Sequence, residues 1–383
     1  MNILALNPYR GGSHRAFLEG WQSRSRHSFE TLTLPAYKWK WRMRHAAVTF
    51  AEQVRELIKN GGTWGALFCT DMLNLAEFRG LAPPSVRDLP MIVYFHENQL
   101  TYPQRNASDR DLHFAFTNIT TALAADAVWF NSGFHRDTWL AAVDRLLQSM
   151  PDFQPVDTGE AIRAKSDVQP PGIEPFPSPS VRKTGPLRIV WVARWEHDKN
   201  PKMFFEAIRL LVTRDCDFRL SVLGESFANS PSCFTDARVE FADHIDHWGF
   251  LESHAAYREA LADADVVVSM ADHEFFGIAI VEAVAAGCFP LVPRRLAYPE
   301  VLGDDDDFFH DDTPKGIAER LHTLAERLRC DDIWNGDRMR GVRQAERFDW
   351  TRRTAELDAA CDRVVSSFGQ EQLRSPASES ADD

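Results

Sequence analysis

The feature that most constrains this chain is a repeated alternation of short apolar runs with segments of helical spacing. The runs 2–7 (NILALN), 65–70 (GALFCT), 91–95 (MIVYF) and 126–130 (DAVWF) each end in polar residues or a glycine turn. Helical spacing fills the intervals over Arg15–Ser25, Arg44–Lys59, Asp109–Ala124 and His135–Gln148. A second series has runs at 187–193 (LRIVWVA), 218–223 (FRLSVL), 239–241 with 247–249, 265–269 (DVVVS) and 289–292 (FPLV). Its helices are expected over Lys202–Arg214, Ser253–Ala262 and Gly277–Ala286. Strand–helix alternation of this kind builds parallel sheets, so the sequence predicts an α/β protein with two doubly wound units in tandem.

The stretch from about Met150 to Pro186 is proline-rich and aperiodic (PDFQP, QPPGIEPFPSPS), as a linker is. The expected organisation is a first domain over 1–170, a linker over 171–186 and a second domain over 187–350. A C-terminal helix over 351–368 returns to the first domain, and a polar tail over 369–383 is expected to be disordered. No run of eighteen apolar residues occurs, and the opening MNILALNPYRGG lacks a basic leader and a cleavage site. These features predict a cytoplasmic protein without a membrane partner. The six cysteines are scattered, with no CxxC pair and no histidine beside them, which disfavours a structural zinc site or a disulfide frame.

Ligands of open parallel sheets sit beyond the carboxyl ends of the strands, so residues there are the first candidates. The first run is followed by Gly11-Gly12-Ser13-His14, a glycine turn entering a helix, where backbone N–H groups can approach an anion or sugar. The turn lacks GxGxxG spacing, which disfavours a dinucleotide site. MIVYF is followed by His96-Glu97-Asn98-Gln99, where His96 suits a group that orients an acceptor. In the second half, Arg194 and Lys199 flank a turn before a helix and suit a metal-free diphosphate clamp. DVVVS is followed by His273-Glu274-Phe275-Phe276-Gly277 and then Glu282. The amides of Phe275 to Gly277 are expected to face a ligand, with Glu274 on sugar hydroxyls and Glu282 on the ribose of one nucleotide sugar.

The glutamates of this Glu274-x7-Glu282 element, with Arg194, Lys199 and Trp248-Gly249-Phe250-Leu251, resemble the donor site of retaining GT-B glycosyltransferases of family 4. More narrowly, the chain is similar to the tRNA-queuosine alpha-mannosyltransferase family. The motifs are GGSH (11–14), LPAYKWKWRMR (34–44), DMLNL (71–75), YFHENQLTYP (94–103), RWEHDKNP (194–201), LGESF (223–227), HWGFL (247–251) and HEFFGIAIVEA (273–283). The resemblance implies a GT-B fold, two Rossmann-like domains facing each other across a cleft. It implies transfer of mannose, with retention and without a metal, from GDP-mannose to queuosine in the anticodon loop of tRNA-Asp. It also places the donor base at Gly249, Phe250 and Leu251 and the acceptor near His14, Asp71, Asn74, Glu97 and Asn98.

Formal charge is −13 over the chain, yet the first fifty residues hold eight Lys/Arg against two acidic residues. Within them Lys38, Trp39, Lys40, Trp41, Arg42 and Arg44 interleave cations for phosphate with aromatics for splayed bases, which suits RNA. The acidity of the remainder favours the alternative, another nucleotide sugar and a small-molecule, lipid or glycan acceptor. A third reading is a catalytically silent scaffold that binds a partner through the tryptophan-rich surface. Against it stands the joint presence of Glu274, Glu282, Arg194, Lys199 and His96. The oligomeric state is left open.

Overall fold

The computed structural model describes residues 1–103, 111–177, 185–227, 229–330 and 333–374, with no description of side chains beyond 370. The chain divides into two compact units, Met1–Gly172 with the segment from Trp350 onward, and Ile173–Asp349. The first unit is built on a six-stranded sheet of β1 (Asn2–Arg10), β2 (Ser28–Pro35), β3 (Ala66–Thr70), β4 (Met91–Phe95), β5 (Ala127–Phe130) and β6 (Ser166–Val168). The order is β2-β1-β3-β4-β5-β6 and every pairing is parallel. The second sheet contains β7 (Leu187–Val192), β8 (Phe218–Leu223), β9 (Ile245–Gly249), β10 (Val266–Val268), β11 (Phe289–Pro293) and β12 (Phe309–His310). Its order is β12-β11-β10-β7-β8-β9, again parallel throughout. These are the two α/β units that the alternation predicts.

Side chains alternate across each strand, so β1 sends Leu4 and Leu6 to one core and Ile3 and Ala5 to another. The first core is closed by the helix Trp39–Lys59 through Ala46, Ala47, Phe50 and Val54. The second is closed by the helix Gly12–Gln22 and by the terminal helix, whose Trp350, Leu357, Ala360 and Cys361 join Phe17 and Trp21. Among the described residues no helix is long and apolar enough to cross a membrane.

Several boundaries differ from the sequence reading. Strands β2, β6 and β12 have no counterpart in it, because SFETLTLP alternates polar with apolar residues and the other two are very short. Residues 239–241 are not a strand. Val239 and Glu240 end the helix Cys233–Glu240, and Val239 is 78% exposed there, so its β-branched character is overridden by the helix it terminates. The helix expected from Asp109 begins at Leu112, with Asp111 accepting from the His113 N–H; residues 104–110 lie outside the described residues. The terminal helix runs from Trp350 to Arg374, past the expected end at 368, since Gln370–Arg374 are strong helix formers that a single Gly369 does not interrupt. The remainder of the predicted tail, 375–383, lies outside the described residues.

The terminal helix is fastened by two devices. Trp350 lies so close to Gly20 and Gly172 that a Cβ on either would come within 2.2 Å of its ring. Asp358, 3% exposed, accepts from Trp21 Nε1 at 2.7 Å, Ser25 Oγ at 2.6 Å and the Arg26 N–H at 2.9 Å. Asp358→Ala orphans these donors, one of them buried, and is expected to cost about 2–3 kcal/mol. Thermal unfolding should therefore fall by about 4–10 °C. A shift under 1 °C would mean that the helix is held by apolar packing alone.

Candidate active site

In the second unit, the loop after β10 is held from below by one buried cation. Asn200, at φ 50°, turns the chain so that Lys199 precedes the helix Pro201–Val212, and the lysine is 7% exposed. Its ammonium donates to His273 O at 2.6 Å and Glu274 Oε2 at 3.3 Å, and lies 3.3 Å from Asp198 Oδ2. Burial alone would lower the Lys199 pKa, yet the Glu274 and Asp198 carboxylates outweigh it and hold the value above the ordinary one. Burial alone would raise Glu274, yet the Lys199 charge, its hydrogen bond and the Phe276 N–H hold Glu274 below the usual carboxylate range. Arg194 keeps 48% of its side-chain surface and pairs with Glu196 at 3.3 Å.

The EFFG segment divides its labour. Phe275 and Phe276 are 6% and 4% exposed, and Phe276 packs edge-on against Phe348 at 5.1 Å. Their rings are core, and the Phe276 N–H is turned onto the Glu274 carboxylate. Gly277 has φ +84° and precedes the helix Ile278–Ala285 with no side-chain cap, leaving the helix N-terminus open. A Cβ there would lie 3.0 Å from the Tyr298 ring, whose hydroxyl is 2.7 Å from Ser269 Oγ. Further along that helix, Glu282 accepts from Tyr257 Oη at 2.8 Å, and burial raises its pKa. At the end of β9, Gly249 has φ +105°, Phe250 is 66% exposed and Leu251 is half-buried.

In the first unit, a polar layer caps the carboxyl edge of the sheet. His96 follows β4, is buried, and donates its backbone N–H to Asp71 Oδ1 at 3.0 Å. Its ring lies 4.1 Å from that of His14, which follows the glycine turn. His14 Nδ1, His96 Nε2 and Asp71 Oδ2 are buried without a hydrogen-bond partner among the described residues. Burial drives the His14 pKa down to about 3, and burial with the neighbouring histidines holds His96 well below its ordinary value. Burial, then the Glu97 charge, holds Asp71 well above the usual carboxylate range. At neutral pH both histidines are therefore uncharged, and Asp71 is shifted toward its protonated form, which gives a set of donors and acceptors suited to hydroxyls.

The remaining expected residues have varied settings. Gly11 lies against Ala36, where a Cβ would come within 2.4 Å, and Gly12 has φ +48°, so both glycines are required by the turn itself. Asn74 caps the helix Leu75–Leu81 by accepting from the Glu77 N–H. Asn98 is occupied with Thr101 and His135, and Glu97 accepts from Gln99 Nε2. Trp39 is half-buried against Phe114 at 5.2 Å, whereas Trp41 is 61% exposed and stacked on His45 at 4.9 Å. Arg42 donates to Pro35 O and sits 2.9 Å from His45 Nε2; Lys38 is exposed beside the Tyr37 ring. Sequence reasoning missed Tyr257, Asn131 and His135. Asn131 donates to His96 O and holds His135 Nδ1, and the polar run after β5 (FNSGFH) carried the same signal as the one after β4.

Glu274 is more acidic and Lys199 more basic in the folded chain than in the unfolded one. Their pairing stabilises the fold fully between about pH 5 and 10. The contribution is lost as pH falls through the depressed Glu274 value or rises through the elevated Lys199 value. Lys199→Met is expected to cost about 2–3 kcal/mol at pH 7, below the 3–5 of a fully enclosed pair because Glu274 keeps 28% of its side-chain surface. At pH 4 the loss should shrink as Glu274 takes up a proton. Urea unfolding at both pH values checks this, and equal losses would show that Lys199 does not serve to neutralise Glu274.

Two family models divide the chain: tRNA-queuosine alpha-mannosyltransferase N-terminal over residues 2–173, and glycosyl transferases group 1 over 173–328. A tRNA-queuosine alpha-mannosyltransferase of Drosophila melanogaster is 35% identical over 84% of this chain and 86% of its own length. A GDP-mannose-dependent alpha-(1-6)-phosphatidylinositol dimannoside mannosyltransferase of Mycobacterium tuberculosis is 29% identical over 47% of this chain and 45% of its own. In fold, sucrose-phosphate synthase from Thermosynechococcus elongatus superposes with a TM-score of 0.69 over 96% of this chain and all of its own, at 12% identity. The chain thus belongs to the tRNA-queuosine alpha-mannosyltransferase family, glycosyltransferases of the GT-B fold.

Proposed function

We propose that this protein, in the cytoplasm, transfers mannose from GDP-mannose to queuosine in the anticodon loop of tRNA-Asp, with retention at the anomeric carbon. The observation that carries the reading is the likeness to the Drosophila enzyme, which spans both units at 35% identity. The Mycobacterium relative, GDP-mannose-dependent by name, supports the donor. The donor half is assigned to the second unit. Glu282, with one oxygen on Tyr257, offers the other to the ribose, and the guanine lies near Gly249, Phe250 and Leu251. Arg194 grips the diphosphate, Lys199 adds its charge while holding Glu274, and Glu274 with the Phe275 to Gly277 amides binds the sugar hydroxyls.

Charge develops on the departing diphosphate as the glycosidic bond lengthens. A preorganised cation at that position typically supplies ~10²–10³ in rate. The reading includes metal independence, the cationic charge being assigned to Arg194 and Lys199, so excess chelator should leave turnover unchanged. The leaving phosphate oxygen accepts the acceptor proton on the same face, and no protein carboxylate is needed as nucleophile. In the first unit, His14, His96, Asp71, Glu97 and Asn98 receive the acceptor hydroxyls. A neutral His96 orients the reacting group, and the Gly11-Gly12 turn, the exposed Lys38 and Trp41 and the half-buried Arg42 engage phosphate and bases; Trp39 and Asn74 support that surface.

Incubation with labelled GDP-mannose and either queuosine-containing or queuosine-free tRNA tests the acceptor. Label is expected only in the former, and absence from both would overturn it. His96→Ala should lower turnover by about 10²–10⁴ with donor affinity nearly intact. Calorimetry should show GDP-mannose binding more tightly than UDP-glucose, with the preference's overall affinity weakened in Arg194→Ala. Equal weak binding of both sugars, unchanged by the substitution, would overturn the donor.

A further inference from the structure

The first unit contains a second polar site, on the far side of β1 from the helix Trp39–Lys59. A cavity of about 480 Å³ lies between the helix Gly12–Gln22 and the edge strand β2. One stripe of that helix, with Phe17 and Trp21, packs into the core. The adjoining stripe carries Arg15, Glu19 and Gln22 and looks instead at Thr31 and Thr33 of β2 and Asn7 of β1. Two polar walls thus face each other where a doubly wound unit ordinarily buries apolar side chains. Thr31 Oγ1 bridges them by donating to Gln22 Oε1 at 3.1 Å, and Asn7 Nδ2 donates to His14 O at 3.4 Å.

The chemistry of the walls is specific. Arg10 is held by Glu19 at 2.7 Å, whereas the Arg15 guanidinium and the Thr33 hydroxyl have no partner among the described residues. One guanidinium is thus neutralised and fixed, and the other is available for an anion. Hydroxyl and amide groups of Thr31, Thr33, Ser23, Gln22 and Asn7 line the same cavity, a set that fits a phosphate joined to a polyol. The cavity also shares a wall with the basic aromatic segment. Arg10 pairs in register with Pro35, Gly11 packs on Ala36, and Tyr37 and Trp41 follow at 63% and 61% exposure.

We propose that this cavity is a ribose-phosphate pocket for one nucleotide of the acceptor RNA, with Arg15 on the phosphate and Thr33 with Gln22 on the ribose. Stacking on Tyr37 or Trp41 holds the neighbouring bases. The inference rests on the tRNA reading above and extends its contact surface to residues outside the reacting groups. Its signature is therefore on tRNA affinity and not on chemistry.

The test compares wild type with Arg15→Ala and Thr33→Val, using queuosine-containing tRNA, free queuosine nucleoside and GDP-mannose. Arg15→Ala should raise the tRNA KM about tenfold with kcat unchanged. It should lower the slope of log Kd against log salt by about one. Thr33→Val should raise the tRNA KM by a smaller factor at an unchanged salt slope, and KM for nucleoside and donor should stay at wild-type values in both variants. If wild type binds tRNA and the variants match it, this pocket is not an RNA contact and the tRNA reading stands. An equal rise in the nucleoside or donor KM would move the cavity to the reacting substrates and overturn the proposal. If wild type binds no tRNA, both readings fall.

Discussion

A parallel sheet covered on both faces leaves its polar chemistry only one place to go. Leu4, Leu6 and Val93 fill one face of the first sheet and Ile3, Ala5 and Ile92 the other, all at most 1% exposed. The backbone there is satisfied strand to strand, so side chains that need polar partners collect where the strands stop. Thr70 at the end of β3 and Asp71 after it, His96 and Asn98 after β4, and Asn131, Ser132 and His135 after β5 form one layer for this reason. The second sheet repeats the arrangement with Lys199 and Ser269.

The two layers answer the cost of burial in opposite ways. In the first, desolvation wins: burial shifts His14, His96 and Asp71 each toward its uncharged form. Groups shifted in that direction suit contacts with hydroxyls. In the second, pairing wins: Lys199 and Glu274 remain ionised because each supplies the charge the other needs. Ionised groups placed before the substrate arrives suit a reaction whose leaving group is a diphosphate. One fold thus presents a surface shifted toward neutrality and a charged one, set by whether a counter-ion lies within reach of the buried group.

Much of this was legible in the sequence because both signals were local. Runs such as MIVYF and LRIVWV announce doubly buried strands, and the polar residues directly after them, His96 and Glu274 above all, announce strand ends. What escaped depends on tertiary context. Strand β2 alternates because it lies at an edge, with Leu32 and Leu34 against one core and Thr31 and Thr33 facing the cavity, so its run is diluted. Tyr257 lies on a helix of unremarkable composition, and its bond to Glu282 links positions 25 residues apart. The tryptophans of KWKWRMR look equivalent in sequence, yet helical geometry turns Trp39 with Met43 inward and Trp41 outward.

The loop His273–Gly277 shows why a buried ion pair is kept where an apolar pair would serve stability as well. Replacing such pairs by hydrocarbon is often neutral or favourable, so Lys199 is not explained by folding alone. Its ammonium, however, fixes the carbonyl of His273 and the carboxylate of Glu274 together. Tyr298 closes on Gly277 from a second side and Phe348 on Phe276 from a third. With its side chains anchored, the segment fixes the Phe276 N–H on Glu274 and leads into the helix Ile278–Ala285, and Gly277 supplies the positive φ at that turn. The lysine therefore does for the loop what no apolar residue can: it sets the orientation of a carboxylate and of the neighbouring amides before any ligand binds, so that the ordering entropy is lost in folding and not in catalysis.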